Sequence, residues 1–439
     1  MTRTTNTLQQ LREYESRNVT FMEADGSWPI VWERARGTHV WDIEGRKYLD
    51  LTAAFGVAAA GHANTRVVRA GQKQMGKLLH AMGDVHPHRL KAQLARELSR
   101  ITFERWPAEK FGGARAHPLA GKTIFCNSGF EAVEAALKTA VLATSKPGII
   151  AFEGAYHGLG YGALNVTHRD YFRSPFRAQL GGFAEFVGFP TTLIQLRRAA
   201  AEIRDLLHYK EIGAVLVEPM QARGGIHIPP PAFLPMLRKL CDEFGALLIV
   251  DEIYTGFGRT GKWFACEHSG TVPDLICVGK ALTGGFPLSA CVGRVDLMDA
   301  AWPVSSGEAL HTSTFLGHPV GCAMALAQIA EIRRARLPQR SALLGEHLLR
   351  ELRKHISNPQ FDISIRGKGL FAGVELCLRG RVPATIAALH VMKEMLHRGY
   401  VMLPEGAHGN VLSFTPPLTI TRQELTVAVR ELQKVLNRE

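Results

Sequence analysis

Two apolar runs that each end in an ionisable residue decide the fold of this chain: Ala246-Leu-Leu-Ile-Val-Asp-Glu252 and Asp274-Leu-Ile-Cys-Val-Gly-Lys280. Short runs rich in Val, Ile and Leu are typical of strands that are covered on both faces of a parallel sheet. Open sheets of this kind bind ligands at the carboxyl ends of their strands. We therefore expect Asp251 and Lys280 to lie in one crevice.

A carboxylate and an amine in one crevice suit a cofactor that carries a ring nitrogen and an aldehyde. The carboxylate of Asp251 would bind the ring nitrogen, and the amine of Lys280 would react with the aldehyde. A structural ion pair at the edge of the sheet is the alternative, and these two residues alone do not decide between the two interpretations.

Strands and helices alternate through the middle of the chain. From residue 122 onward, predicted strands at 123–126, 149–152 and 214–217 alternate with predicted helices at 129–144 and 233–244, which indicates an α/β fold with a mostly parallel sheet. A hairpin is predicted around Glu44-Gly45, a helix from Pro319 to Arg334, and a strand at 369–376. We expect an N-terminal segment at 1–65, a large domain at 66–330 and a small α+β domain at 331–439.

Composition excludes several classes of protein. The 52 Lys and Arg exceed the 40 Asp and Glu and give a net charge of +12, but they are dispersed, so no nucleic-acid partner is predicted. No apolar stretch reaches the roughly 18 residues of a membrane helix, and the first ten residues lack the apolar core of a signal peptide. We therefore expect a cytoplasmic protein without a membrane partner. The seven cysteines are scattered without zinc-type spacing, and no metal site is predicted.

The stretch after the strand at 123–126 is a candidate anion site. It passes through a small polar turn into a helix, so the N–H groups of Ser128, Gly129 and Phe130 would point at an anion. A plain N-cap is the alternative interpretation. Tyr156 follows another predicted strand and offers an aromatic face to a planar ring, although packing is the commoner role of such a residue.

Six motifs in order are similar to those of a known family. They are Asn127-Ser-Gly-Phe-Glu-Ala-Val-Glu-Ala-Ala-Leu-Lys138, Tyr156-His-Gly158, Val217-Glu-Pro-Met-Gln221, Asp251-Glu-Ile-Tyr-Thr-Gly-Phe-Gly-Arg-Thr-Gly261, Gly279-Lys280 and Thr312-Ser-Thr-Phe-Leu-Gly-His-Pro319. Over roughly residues 28 to 430 the chain resembles the class III (ω-) aminotransferases, because the ordered set is far more specific than any single motif. These are fold-type I enzymes that depend on pyridoxal 5′-phosphate, with a large domain and a small domain built from both chain ends.

The resemblance implies a role for each matching residue. Lys280 would form the Schiff base with the cofactor and act as the general base, and Asp251 would bind the pyridine nitrogen. The other implied cofactor-binding residues are Ser128, Gly129 and Phe130 at the phosphate, Tyr156 and Ile253 on the two ring faces, Glu218 as support for Asp251, Tyr254 at the position of a glutamine that often contacts the phenolic oxygen, and His157. Thr314 would reach the phosphate in the neighbouring subunit, which implies a homodimer.

The implied reaction is a ping-pong transfer of an amino group from an amine or amino acid to a keto acid or aldehyde. A phospho-lyase, an aminomutase or an amino-acid epimerase of the same fold would share every cofactor residue, so these activities stay open as alternatives. A non-catalytic regulator that senses the cofactor would need a DNA-binding module. Only about thirty residues precede the fold, too few for a helix-turn-helix domain.

Two departures from the family affect substrate recognition. Arg223 stands where a second acid is usual, and Ser413 stands where an arginine is expected before Pro416-Pro-Leu418. In the relatives that acid pairs with the arginine, which releases to bind an α-carboxylate. We therefore predict non-standard carboxylate recognition, with Arg223 either as a replacement anion anchor or as a surface arginine. Phe55 is predicted either to form an apolar pocket wall or to pack in the core.

Overall fold

The computed structural model of the chain describes residues 2–23, 26–106 and 120–438. Within these ranges no helix is both long enough and apolar enough to cross a membrane. The strands are β1 (Trp32–Arg36), β2 (His39–Asp42), β3 (Lys47–Asp50), β4 (Gly121–Cys126), β5 (Gly148–Phe152), β6 (Ala184–Val187), β7 (Ile212–Val217), β8 (Leu247–Asp251), β9 (Leu275–Val278), β10 (Ser289–Arg294), β11 (Asp362–Gly367), β12 (Ala372–Leu378), β13 (Val382–Pro383), β14 (Tyr400–Val401), β15 (Leu403–Glu405) and β16 (Val411–Phe414).

The helices cover the sheets and connect their strands. They are α1 (Arg3–Tyr14), α2 (Ala53–Gly56), α3 (Thr65–Met75), α4 (Arg89–Ile101), α5 (Gly129–Thr144), α6 (Tyr161–Val166), α7 (Asp170–Arg173), α8 (Leu193–Tyr209), α9 (Phe233–Phe244), α10 (Val295–Ala301), α11 (Pro319–Arg334), α12 (Leu337–His355), α13 (Thr385–His397) and α14 (Arg422–Leu436). Short 3-10 helices occur at Ser174–Gln179, Ala265–His268, Lys280–Leu282 and Arg379–Arg381.

A seven-stranded sheet in the order β4-β10-β9-β8-β7-β5-β6 forms the centre of the fold. Strand β10 is antiparallel to β4 and β9, and the other pairs are parallel. Every residue of β7, β8 and β9 is buried, as the apolar runs predict for strands covered on both faces. The predicted α/β fold with a mostly parallel sheet is therefore confirmed.

Strands β8 and β9 bring the two ionisable residues to one edge of the sheet. Asp251 is the last residue of β8 and lies opposite Cys277 of β9, and Lys280 comes three residues later. Parallel strands end on the same side of a sheet, so both side chains lie at the carboxyl edge.

Two smaller sheets contain the ends of the chain. Strand β14, from the C-terminal part, pairs in parallel with β3, from the N-terminal part, in a sheet of order β1-β2-β3-β14. The second sheet has the order β11-β12-β16-β15, and β13 pairs with β12. Both ends of the chain therefore contribute to one sheet, while the boundaries near 65 and 330 stay a prediction.

Most predicted elements agree with the observed ones, and one strand is displaced. The hairpin forms between β2 and β3, and α5, α9 and α11 have the predicted bounds. The strand expected at 369–376 instead spans Ala372–Leu378. Its start is later because Gly369 adopts a positive φ of 61°, and a Cβ there would lie 2.4 Å from the backbone of Thr260. That backbone conformation belongs to a turn rather than a strand.

Candidate active site

A cavity of about 410 Å³ lies at the carboxyl ends of the central strands. It has the size and the mixed apolar and polar character that are typical of a small-molecule site. Its lining residues are Gly129, Phe130, Tyr156, His157, Gly158, Leu159, Glu218, Ala222, Arg223, Asp251, Ile253, Tyr254 and Lys280. The structure thus brings together ten residues that the sequence singled out, from five separate segments of the chain.

Asp251 is held from two sides. Its Oδ1 accepts a hydrogen bond of 3.0 Å from the Ile253 N–H, and its Oδ2 lies 2.8 Å from Nδ1 of His157. The backbone N–H of His157 donates to Oγ1 of Thr167 at 2.9 Å. Because the carboxylate is buried and fixed at both oxygens, its orientation towards the cavity is set before any ligand binds.

A second carboxyl group, Glu218, lies close to Asp251. It is buried, and its two oxygens accept long hydrogen bonds of 3.4 Å from the N–H groups of Tyr156 and Ala222. Burial, opposed in part by His157, raises the pKa of Glu218 to about 7. Near neutral pH this group therefore exchanges a proton readily, whereas an ordinary glutamate is fully ionised.

Lys280 reaches the cavity from the end of β9 and is otherwise enclosed by protein. Its backbone has a positive φ of 37°, which turns the chain sharply after Gly279. Burial lowers the pKa of Lys280, although Asp251 and Glu218 act in the opposite direction. A lowered pKa raises the fraction of neutral amine, the form that attacks a carbonyl carbon.

The ring of Tyr254 packs against the amine end of Lys280. The Lys280 Nζ lies 4.7 Å from the centre of the Tyr254 ring, and burial raises the pKa of the Tyr254 hydroxyl. That hydroxyl is 3.1 Å from Oγ1 of Thr415, which in turn donates to the carbonyl of Thr52 at 3.2 Å. The hydroxyl therefore has a protein partner, and Tyr254 presents its ring to the lysine.

The turn before α5 retains unpaired polar atoms. The carboxylate of Glu131 accepts hydrogen bonds from the N–H groups of Asn127, at 2.7 Å, and Ser128, at 3.4 Å. The hydroxyl of Ser128 is buried and has no hydrogen-bond partner among the described residues. Gly129 and Phe130 begin the helix, where backbone N–H groups lack intrahelical partners. The hydroxyl and these N–H groups fit an anion such as a phosphate.

Tyr156 and Ile253 also line the cavity. The Tyr156 ring packs edge-on against Phe172, and the guanidinium of Arg223 lies 5.6 Å from its centre. Ile253 packs closely against Gly129, where a Cβ would lie 3.1 Å from it. A planar ring fits between two such side chains.

Four singled-out residues are not among those that line the cavity. Ser128 directly precedes Gly129, which lines the cavity. Thr314 is exposed and lies on a separate segment. The side chain of Phe55 is 48% exposed, so it does not pack in the core of this chain. Ser413 is buried in β16, where its Oγ donates to the carbonyl of Leu403 at 3.0 Å.

Glu405 is a residue that the sequence analysis missed. It ends β15 with an exposed side-chain fraction of 1%, and its Oε2 lies 3.6 Å from Nε of Arg223. Burial raises the pKa of Glu405 to about 7, against the effects of Arg223, Lys280 and Arg169. The sequence feature that could have identified Glu405 is its place as an acid at the end of the apolar stretch Tyr400-Val-Met-Leu-Pro-Glu405. The site thus contains an arginine–acid pair, formed by Arg223 and Glu405.

The observed groups fit pyridoxal 5′-phosphate. The Ser128 hydroxyl and the start of α5 suit its phosphate, Tyr156 and Ile253 suit the two faces of its ring, and the buried carboxylate of Asp251 suits its ring nitrogen. The amine of Lys280 lies in the same cavity and suits its aldehyde.

Comparisons with known proteins agree with this chemistry. The family described as Aminotransferase class-III matches residues 21–436. The acetylornithine aminotransferase of Methanosarcina mazei is 35% identical over 94% of this chain and 93% of its own length. The putrescine aminotransferase of Pectobacterium atrosepticum is 35% identical over 98% of this chain and 88% of its own length.

A solved structure agrees in fold along nearly all of the chain. The omega transaminase from Pseudomonas jessenii, crystallised in complex with PMP, has a TM-score of 0.86 and 26% identity, and the match covers 98% of this chain and 97% of that one. The chain therefore belongs to the class III aminotransferases, which depend on pyridoxal 5′-phosphate and transfer amino groups between small molecules.

Proposed function

We propose that Lys280 and Asp251 are the catalytic residues of this aminotransferase. The observation that carries the proposal is the placement of both side chains in one cavity, with Asp251 held by His157 and by the Ile253 N–H. Pyridoxal 5′-phosphate, when bound, withdraws electrons from the carbon beside the substrate amine and makes its C–H bond acidic. The residues of the chain then have to hold the cofactor and move one proton.

Lys280 performs the proton transfer. Its amine would hold the aldehyde of the bound cofactor, a position that would place Lys280 beside the reacting carbon of the substrate. Its lowered pKa would favour the neutral amine, which can accept the proton from the reacting carbon of the substrate and release it again. Asp251 would keep the ring nitrogen protonated, His157 holds Asp251 in the required orientation, and Glu218 lies behind the ring position as a second acid near Asp251.

Ser128, Gly129 and Phe130 bind the phosphate group, and Tyr156 and Ile253 hold the two faces of the ring. The unpaired hydroxyl of Ser128 at the start of α5 supports this assignment. Tyr254 packs under Lys280, as the distance of 4.7 Å between its ring centre and Nζ indicates.

Arg223 is the anion anchor for the carbonyl substrate. It lines the cavity, and its guanidinium can hold a carboxylate through two parallel hydrogen bonds. Carboxylate recognition is then non-standard, because the arginine expected in the relatives is Ser413, which is engaged with Leu403. Truncation to methionine tests the anchor, since a tenfold or greater rise in KM for a keto acid corresponds to a loss of about 1.4 kcal/mol.

The experiment that tests the proposal is a Lys280→Ala variant, with Lys262→Ala as a control for an exposed lysine outside the cavity. Wild-type holoenzyme should lose its cofactor absorbance with an amine donor and regain it with a keto acid. Borohydride should fix the cofactor to the peptide that contains Lys280. The Lys280→Ala variant should bind the cofactor without this fixation, whereas Lys262→Ala should behave as the wild type does. Fixed cofactor on Lys280→Ala would exclude Lys280.

We also propose a homodimer in which Thr314 contributes to the cofactor site of the partner subunit. Exposed apolar side chains at Leu79, Met82 and Val85 lie on a segment that packs against the segment of Thr314. The two segments are joined by hydrogen bonds from Thr312 Oγ1 to Asp84 and between His88 Nε2 and the carbonyl of Gly317. An apolar surface of this kind is typical of a subunit interface.

Mixed dimers test the role of Thr314. A dimer of one Lys280→Ala subunit and one Thr314→Ala subunit contains a single site with an intact lysine. If Thr314 acts across the interface, that site also has an intact Thr314, and its cofactor affinity should equal that of the wild type. If Thr314 acts within its own subunit, the site should keep the lower affinity of the Thr314→Ala homodimer, and the proposal fails.

A further inference from the structure

Arg259 is the largest side chain that is fully buried in the described part of the chain, with an exposed fraction of 1%. Burial lowers the pKa of its guanidinium to about 10, so the group stays charged near neutral pH. Its hydrogen bonds go to backbone carbonyls rather than to a carboxylate, and its Nη2 has no partner among the described residues. The acid that favours its charged form, Asp50, already accepts from Thr52 and lies 2.7 Å from Nε2 of His62. A buried charge without an ion pair costs stability, so its position needs another explanation.

The guanidinium of Arg259 joins the loop after β8 to two strands of the β11-β12-β16-β15 sheet. Its Nη1 donates to the carbonyl of Leu370, at 3.0 Å, and to that of Pro416. Leu370 lies two residues before β12 and Pro416 lies two residues after β16, and these strands pair with each other. The Leu370 N–H also donates to the carbonyl of Arg259, at 3.1 Å, so the loop is held through both its backbone and its side chain.

The neighbours of the two carbonyls pack against the ring of Tyr254. Phe371, directly after the first carbonyl, packs edge-on against this ring with 5.9 Å between the ring centres. Thr415, directly before the second carbonyl, places its Oγ1 3.1 Å from the Tyr254 hydroxyl. The centre of the Tyr254 ring in turn lies 4.7 Å from Nζ of Lys280. A shift of the segments that Arg259 holds would therefore move the ring that faces the lysine.

The ring of Tyr254 acts on Lys280 in two ways. An aromatic face attracts a cation, so the contact favours the charged form of the Lys280 amine and opposes the effect of burial on its pKa. The contact also limits where the amine can lie, and a misplacement of about 1 Å in a catalytic group can slow a reaction about a hundredfold. The position of this ring therefore affects both the proton affinity and the placement of Lys280.

We propose that Arg259 is a positioning residue for Lys280: by binding the carbonyls of Leu370 and Pro416, it fixes the two segments that hold the Tyr254 ring against the lysine. The proposal deepens the proposed function and rests on the role of Lys280 in it. Because Phe371 contacts the ring itself, the loss of Arg259 should matter more than the loss of the Tyr254 hydroxyl alone. Arg259 does not line the cavity and acts only through the ring.

The first test compares Arg259→Met with Arg340→Met. Arg340 is the matched control, because it donates to carbonyls of the same C-terminal segment farther along the chain, those of Leu418 at 3.0 Å and Thr419 at 3.2 Å. Arg259→Met should lower kcat about ten- to a hundredfold with KM within about threefold, whereas Arg340→Met should leave both within about twofold. Arg259→Lys keeps the charge and can bind one of the two carbonyls, so it should lose less of kcat. It takes the place of Arg259→Met if calorimetry shows that the methionine variant is unfolded.

The second test needs no turnover. Full-length protein without cofactor is exposed to a trace of acetic anhydride over a range of pH, and acetylation of Lys280 and of the exposed Lys262 is measured by mass spectrometry. Arg259→Met should lower the pH midpoint for Lys280 by about 0.5 or more, because the amine loses the aromatic contact that favours its charged form. The midpoint for Lys262 should not change. In a Tyr254→Leu background, which lacks the ring, Arg259→Met should cause no further shift.

Each result decides the proposal. Equal kcat values for Arg259→Met and Arg340→Met, or an unchanged Lys280 midpoint in Arg259→Met, would show that Arg259 only stabilises the fold. A further shift in the Tyr254→Leu background would show that Arg259 acts on Lys280 by another route. Each of these outcomes overturns the proposal while the wild-type enzyme still transfers amino groups. Wild-type holoenzyme that responds to no amine donor would instead overturn the proposed function.

Discussion

Nδ1 of His157 lies 2.8 Å from Oδ2 of Asp251, and both side chains are buried. His157 comes from the loop after β5, and Asp251 ends β8, so the contact spans the end of β7, which lies between these two strands at the carboxyl edge of the sheet. The other carboxylate oxygen is already occupied by the Ile253 N–H. Without the imidazole, Asp251 would lose one of its two fixed contacts.

Replacing His157 by leucine should therefore slow catalysis more than it weakens substrate binding. Loss of a group that orients a ligand-binding residue typically costs ten- to a hundredfold, so we expect a kcat decrease of this order with KM within about threefold. A deuterium isotope effect on the substrate C–H bond should increase, because that step becomes slower. His168→Leu is the control, since His168 packs edge-on against Phe186 and does not line the cavity. Equal effects of both variants would contradict the orienting role.

Gly158 is a position where the site has no room for a side chain. Its φ is +114°, and a Cβ would lie 2.3 Å from Cβ of Phe130, which lines the cavity. We expect Gly158→Ala to raise the Kd for pyridoxal 5′-phosphate at least tenfold, measured by fluorescence quenching. Gly182→Ala is the control that separates backbone strain from a steric clash, because Gly182 has a positive φ of 62° but no atom lies within 4 Å of a Cβ at this position. That control should cost about 1 kcal/mol of stability and leave the Kd unchanged; a similar Kd for both variants would refute the steric argument.

The central strands could be predicted from the sequence because burial on both faces requires unbroken apolar runs. Strands β7, β8 and β9 show this pattern, and the ionisable residues Glu218, Asp251 and Lys280, at the ends of these strands or within two residues of them, mark the edge where a ligand binds. Helix α9 was predictable at both ends, since Gly245 directly after it takes the left-handed conformation of a C-cap at φ 67°.

The contacts between distant segments could not be predicted in the same way. Strand β14 has only two residues, too few for any period, yet it pairs with β3 from the other end of the chain. The Arg223–Glu405 pair also depends on the hairpin of β15 and β16 folding against the loop after β7. Sequence shows which charges are present, but tertiary packing decides which of them meet.

Tyr254→Phe tests what the tyrosine hydroxyl does. Because the hydroxyl lies 3.1 Å from Thr415 Oγ1, we expect its removal to cost about 1 kcal/mol of stability. The kcat and the visible absorbance maximum of the bound cofactor should change little, since the ring that packs under Lys280 remains. A clear shift of the absorbance maximum would show that the hydroxyl contacts the cofactor instead.

Glu252 should make the stability of the protein depend on pH. It is fully buried next to Asp251, its Oε1 accepts a hydrogen bond of 2.8 Å from the Cys266 N–H, and burial raises its pKa from 4.5 to about 7. Because the native state then binds a proton that the unfolded state releases, Glu252 contributes stability below pH 4.5 that is lost as the pH rises through about 7.

Glu252→Gln removes this titration while it keeps the size of the side chain. The Tm of the variant minus the Tm of the wild type should therefore increase from pH 5 to pH 8. The shift corresponds to at most about 3 kcal/mol, since one pKa unit is about 1.4 kcal/mol. Scanning calorimetry of the holoenzymes at matched cofactor concentration measures it, and Glu13→Gln on the exposed face of α1 serves as the control. Glu218 and Glu405 also have raised pKa values, but they titrate in both proteins and cancel in the difference. A Tm difference that stays constant between pH 5 and pH 8 would mean that Glu252 is ionised in the native state throughout this range.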